Sequence, residues 1–307
     1  MWRIEKDANN LPCEAKLLQK TPSQTEAYPI TIIIPDLHLG PELGDIFEFL
    51  DQQKHKARLN HFVHTLKRFR KNKAQELHVI QMGDLYDFYR DLPGCSFEND
   101  CSKIESKYET VIHSLGELET KVSIGNHDAD FVNYPSYLKN KGLFADVGHC
   151  LSGAVFRHGI PEVKSDPEGR AILELAEEVK RLSSATRKNV NIVERAEDNS
   201  LSSPDPKSIE DLPWPAQSSD LPEHWTAPWV ARNGANDRAL EACQFATKQG
   251  ASRPWIAFVG HSHRPGISCG KRDDSTTIPV VDVGSWTYGR AEFAIMADDG
   301  IGLARLD

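Results

Sequence analysis

No apolar run in this 307-residue chain approaches the roughly 20 residues that a membrane-spanning helix needs. The opening residues, Met1-Trp2-Arg3-Ile4-Glu5-Lys6-Asp7, also lack the apolar stretch of a secretory signal. Together these absences predict an intracellular, cytoplasmic protein with no transmembrane segment. Cysteine is sparse: Cys13, Cys95, Cys101, Cys150, Cys243 and Cys269 include no Cys-x-x-Cys pair and fall short of a disulfide scaffold's density. Free thiols are expected, with Cys95 and Cys101, which flank a loop, as the one pair suited to bridging in an oxidising compartment. Positive charge is in deficit, 36 Lys and Arg against 45 Asp and Glu for a net charge of -9. Such a surface repels polyanions at long range and argues against a nucleic-acid-coating protein. Small anionic substrates stay open, because bound metals dominate the field of their own site. No internal repeat is present.

A hydrophobic content of 39% fits a soluble globule with a core of its own, in one large domain or two ordinary ones. A polar leader covers residues 1–28. After it, Ile30-Thr31-Ile32-Ile33-Ile34 is a β-branched run ended by Pro35, the pattern of a buried strand. Leu59, Phe62, Val63, Leu66 and Phe69 then recur at helix-face spacing ahead of a second strand, Leu77 to Met82. A helix over 108–118 precedes Lys121-Val122-Ser123-Ile124. Ala154 to Arg157, Trp255 to Val259 and Ile278 to Val283 continue the strand series. This alternation implies a layered α/β or αββα body over 29–160 and 251–307. Residues 161–250 change character. A helical segment near 171–182 leads into a Ser-, Asp- and Pro-rich stretch, 201–222, with Trp214, Trp225 and Trp229 in or beside it. They read as an insertion packed over the body, a substrate cap or a floppy insert.

Four of the apolar runs end in small polar clusters: Asp36-Leu37-His38, Gly83-Asp84-Leu85-Tyr86-Asp87, Gly125-Asn126-His127-Asp128 and Gly260-His261-Ser262-His263. His158-Gly159 ends a fifth run the same way. Ligands of α/β sheets collect at the carboxyl ends of strands, where loops distant in sequence converge. Asp, His and Asn without cysteine suit a borderline or hard divalent ion. A carboxylate shared by two ions, for which Asp84 is the candidate, holds them about 3.5–4 Å apart, the spacing that clamps both oxygens of an in-line displacement.

In order and complete, the pattern DxH, GDxxD, GNHD, H, GHxH resembles the signature of the calcineurin-like metallophosphoesterases. The resemblance covers residues 31–283 apart from the insertion and implies a four-layer αββα sandwich with a long inserted segment. It also implies two divalent ions (Mn, Zn or Fe), one held by Asp36, His38, Asp84 and His263, the other by Asp84, Asn126, His158 and His261. His127 would then act at the leaving-group oxygen, Asp128 would orient its ring, and Asp87 would support from behind. The implied activity is hydrolysis of a phosphodiester, a phosphomonoester or a nucleotide pyrophosphate by a metal-bridging hydroxide. The partner is thus a small phosphorylated or nucleotide-type substrate, with nucleic acid disfavoured. The residues 35–40 and 83–88 are similar to those of the UDP-diacylglucosamine hydrolase branch. A non-catalytic scaffold on the same fold is the alternative from another class, and a metal-dependent amide or ester hydrolase is a third reading.

Alone, Asp36-Leu37-His38 and GDxxD are weak signals and GNHD and GHxH moderately specific ones, and their conjunction is strong. His149 competes with His158, which is preferred because it ends a strand before glycine. His61 and His64, at i and i+3 of one helix, can bind a metal, although a solvated face is the plainer reading. The run Lys67-Arg68-Phe69-Arg70-Lys71-Asn72-Lys73 attracts anions or answers the dipole at a helix C-terminus, the reading preferred here. Arg90, Arg157 and Arg264, each beside a motif, are candidates for gripping a phosphate.

Overall fold

The computed structural model describes residues 29–40, 52–72, 76–88, 96–125, 127–158, 216–217, 234–261, 263, 265–271, 277–286, 291–297 and 300–306. The polar leader, the 171–182 helical segment, Trp214, Trp225, Trp229, Cys13 and Cys95 lie outside them. The fold is mixed α/β with two mixed six-stranded sheets.

The first sheet is built on β1 (Ile30–Ile34), β2 (Leu77–Gln81), β3 (Lys121–Ser123) and β4 (Phe144–Asp146), all mutually parallel. On its other side, β11 (Glu292–Ala297) pairs antiparallel with β1, and the edge strand β12 (Gly300–Arg305) pairs antiparallel with β11. The second sheet runs in the order β5 (His149–Leu151), β6 (Ala154–Arg157), β8 (Ile256–Val259), β10 (Thr277–Asp282), β9 (Gly266–Lys271) and β7 (Ala216–Gln217). All six strands expected from apolar runs are present. β1 is a continuous apolar run because a central parallel strand is covered on both faces.

Three core clusters record how the pieces pack. In β1, Ile32 and Ile34 join Leu59, Phe62 and Val63 of α1 (Gln52–Asn72) and Ile104 and Val111 of α2 (Phe97–Glu117). Ile33, one residue out of phase, joins Ile80, Phe156, Phe258 and Val281 between the sheets, as the two-residue period of a strand requires. A third cluster sets Ala239, Ala242, Phe245 and Ala246 against Val155, Ala257, Val259 and Val280. Those first four belong to a helix, Gly234–Lys248, labelled α4 here because the short α3 (Pro135–Lys139) precedes it. The helix lies inside the segment 161–250, so the last part of that segment packs on the second sheet. Its small apolar face is spaced at i, i+3, i+7, which allows close approach.

α2 begins at Phe97, well before the expected start at 108. Ser96 caps it, its side chain accepting from the Asn99 N–H at 3.3 Å, and Glu98 and Asp100 occupy the first turn, where carboxylates answer the helix dipole. Tyr108, the expected start, is instead an internal residue with non-helical angles (φ −116°, ψ 26°). The basic end of α1 is engaged by the end of α2: Lys67 pairs with Glu117, and Arg70 donates to the Glu117 carbonyl at 3.0 Å and to Glu119. Cys101, Cys150, Cys243 and Cys269 are free thiols. Among the described residues no helix is long and apolar enough to cross a membrane.

Candidate metal centre

The motif loops meet where the parallel strands end, and main-chain hydrogen bonds join them. His38 N–H donates to the Asp84 carbonyl at 2.7 Å, Leu39 N–H to Leu85 at 3.0 Å, and Asp87 N–H returns to Leu39 at 3.1 Å. Phe88 N–H reaches the His127 carbonyl at 3.2 Å, and on the second sheet Gly260 N–H reaches the His158 carbonyl at 2.8 Å. Side chains add one bond between the sheets and one between loops of the first sheet. His261 N–H donates to Asp36 Oδ2 at 2.8 Å, and His127 N–H to Asp84 Oδ1 at 2.9 Å.

Of the six described non-glycine residues with positive φ, four are His38 (46°), Asp84 (50°), His261 (73°) and His263 (56°). Each such residue costs on the order of 1–3 kcal/mol and persists only where its surroundings over-determine it. Strain therefore concentrates on the proposed donors. Glycine opens three of the motifs for want of space, and a Cβ on Gly83 would stand 2.5 Å from His158 Cδ2. A Cβ on Gly125 would stand 2.1 Å from Asp84 Oδ1, and one on Gly260 would stand 2.5 Å from Asp36 Oδ1.

The side chains form three groups of potential donors, of which two share Asp84 and the third is His38, Asp87 and His127. Asp36, His38, Asp84 and His263 each place one donor atom within 4.8 Å of the others, and so do Asp84, His158 and His261. His38 Nε2 lies 2.9 Å from His263 Nε2. His158 Nε2 lies 2.9 Å from Asp84 Oδ2 and 3.4 Å from Asp36 Oδ2, and His263 Nε2 lies 3.3 Å from Asp36 Oδ2. Asp36 Oδ1 and His158 Nδ1 are buried without a hydrogen-bond partner, and Asp84 Oδ2 and His158 Nε2 have only their close approach to each other and to Asp36, a degree of dissatisfaction that native interiors rarely allow. Oxygen and imidazole donors converging in a buried space with unsatisfied lone pairs fit a divalent cation. Asn126, the remaining expected ligand, lies outside the described residues.

The electrostatics divide the donors. Burial opposes ionisation of Asp36 and Asp84, yet the neighbouring histidines, His158 foremost, outweigh it and hold both carboxyls below the usual range. Burial pulls His261 well down, reinforced by His158, and pulls His38 down, reinforced by His127. A neutral imidazole is the form that ligates metal. His158 moves the other way: burial would lower it, but Asp84 and Asp36 raise it to about 10.

One expected role is reassigned. The Asp128 carboxylate does not orient His127; it accepts from the Gly125 N–H at 2.7 Å and the Leu85 N–H at 2.8 Å. Those two amides belong to different motif loops, so Asp128 joins the loops together. Burial and the nearby charge of Asp84 push it up to about 7. Asp87 holds the ring instead, with Oδ1 3.0 Å from His127 Nδ1 and Oδ2 3.4 Å from His38 Nδ1. A turn explains this: residues 84 and 87 face the donors while Leu85 and Tyr86 enter the first core cluster.

His149 sits in β5 with Nε2 2.9 Å from the Val122 carbonyl, so the structure brings His158 and not His149 to the centre. His61 and His64 are exposed on α1. Arg157 is buried with its guanidinium over the Phe245 ring at 4.8 Å. Like Val155 it takes the α4 side of β6, away from the donors. Arg90 and Arg264 lie outside the described residues. Two supports escaped the sequence reading. Buried Gln81 donates to the Pro35 and Gly83 carbonyls and accepts from the Gly83 N–H. Buried Trp286 donates its main-chain N–H to the Asp36 carbonyl at 2.9 Å. For Trp286 a signal existed: Gly284-Ser285 follows an apolar run just as the motif clusters do.

Comparison of the chain with models of known protein families finds no match, and comparison with curated proteins finds none.

Proposed function

We propose that this chain is a dinuclear-metal-dependent phosphoester hydrolase of the calcineurin-like metallophosphoesterase type. The observation that carries the reading is the pair of donor groups sharing Asp84, a donor arrangement suited to two adjacent divalent ions, manganese, zinc or iron. The core clusters support a four-layer αββα arrangement, with α1 and α2 on one outer face and α4 on the other.

Bound there, two such ions would supply Lewis acidity and an acidified water. The chain's own residues do the rest. Asp36, His38 and His263 hold one side of the centre, His158 and His261 the other, with Asn126 as the remaining ligand and Asp84 between. Asp87 fixes the tautomer and tilt of His127 through Nδ1. Proton transfer at a leaving oxygen then falls to His127 Nε2, a positioned general acid. Among the proposed ligands, His263 is a fifth exposed while His158 is fully buried, so substrate enters past His263. A phosphodiester, a phosphomonoester or a nucleotide pyrophosphate fits this scheme. The protein is read as intracellular.

Metal-stripped protein resupplied with manganese, zinc or iron should hydrolyse bis-p-nitrophenyl phosphate or p-nitrophenyl phosphate. Asp84→Ala and His127→Ala should each abolish turnover. Two bound ions with no turnover of any phosphoester would favour the non-catalytic scaffold, and failure to bind metal would reject the centre itself.

A further inference from the structure

Behind the motif loops, on the α2 side, a polar cluster sits among apolar side chains. Glu105, midway along α2, is its hub. Its Oε1 accepts from the Tyr86 hydroxyl at 3.3 Å and the Tyr137 hydroxyl at 2.8 Å, and its Oε2 takes the Lys141 ammonium at 2.6 Å. Lys141 also stands over the Tyr137 ring, 5.1 Å from its centroid. Tyr86 is fully buried and lies between Asp84 and Asp87 in the loop that gives the centre its shared carboxylate. Its ring meets Phe88 at 5.8 Å and Phe131 at 5.3 Å, edge-on in both cases.

Apolar packing alone would retain a phenylalanine at 86, so the buried hydroxyl and its half-buried acceptor call for a reason. Asp84 has φ 50°, a conformation that must be imposed by its surroundings. On its inner side the loop is bonded to residues 37–39 and to Asp128. On its outer side Tyr86 reaches through the core to a carboxylate anchored from α2 and from the end of α3. We propose that Glu105, acting through Tyr86, is a remote positioning residue for the metal centre, holding the Asp84 to Asp87 turn in the strained form that aims Asp84 at both donor groups. This rests on the metal reading above. Neither residue touches a donor atom, so the effect is transmitted by the turn. Partners that orient ligands from outside the coordination shell typically change metal affinity or activity by about 10–100-fold.

The test is Mn2+ binding to the full chain after metal removal, by titration calorimetry and by the electron paramagnetic resonance line of the bound ions. Wild type should take up two ions. Tyr86→Phe and Glu105→Ala should each weaken binding roughly tenfold or more and alter the resonance of the ion pair. Glu105→Gln keeps an oxygen for both tyrosines while losing the Lys141 partner, so it should lower thermal stability yet restore near-wild-type affinity. Tyr86→Phe removes a single oxygen and keeps the test open if Glu105→Ala does not fold. Wild-type affinity and line shape in both variants would overturn the proposal, leaving the metal reading intact. Absence of Mn2+, Zn2+ and Fe2+ binding in the wild type would overturn both.

Discussion

Two carboxylates near His127 take different work because of where the chain turns. Asp87 meets imidazole nitrogens on both sides, whereas Asp128 is spent on main-chain amides of two loops. Asp87→Asn should lower turnover about 10–100-fold while two ions still bind. Wild-type turnover in that variant would remove Asp87 from the catalytic arrangement. Asp128→Asn presents an NH2 group to one backbone N–H, leaving a buried donor unmet at a cost of about 1–3 kcal/mol. Its signature is a lower denaturation midpoint, with an unchanged pH profile of the turnover that remains. At this scale the sequence was most legible for residue type and least for direction. Asp36, His38, Asp84, His158, His261 and His263 come together in two groups that share Asp84. Which acid faces His127 depended on the turn between 84 and 87, and spacing does not encode that turn.

Strands were legible because burial on both faces writes a continuous apolar run, as in β1. Helix limits were harder. The start of α2 was hidden by Ser96, whose capping role depends on its β-region backbone (φ −106°, ψ 158°). Helix α4 was missed because its face is mostly alanine, which reads as weakly amphipathic until a sheet is present to receive it. Between the sheets, β5 carries His149 against the Val122 carbonyl of β3, and burial lowers its pKa from 6.5. Below about pH 6.5 the unfolded chain binds a proton that the folded chain resists, so stability falls as the pH drops toward the folded value. In His149→Gln, which keeps a donor for that carbonyl, the loss of urea midpoint between pH 7.5 and 5.5 should shrink. An unchanged loss would show that His149 contributes nothing to acid sensitivity.

The whole molecule gathers six proposed ligands from both sheets, and in doing so it crowds buried oxygens and nitrogens that lack partners. An ion that binds only the folded chain stabilises it by about 2.7 kcal/mol at one hundred times its dissociation constant. Manganese, zinc or iron should therefore raise the melting temperature by several degrees, and a chelator should reverse the rise. A melting temperature indifferent to all three and to the chelator would mean that the centre holds no ion. Donor chemistry, the order of the motifs and the alternation of strand and helix were determined by the sequence alone, because residue type and period-two burial are local properties. Asp84 as the shared carboxylate and His158 in preference to His149 were already readings of the sequence, whereas the Asp87 to His127 contact and the Tyr86 to Glu105 anchor appear only in three dimensions. Each of these two contacts joins residues from different segments of the chain, and their separation is set by packing rather than by chain spacing.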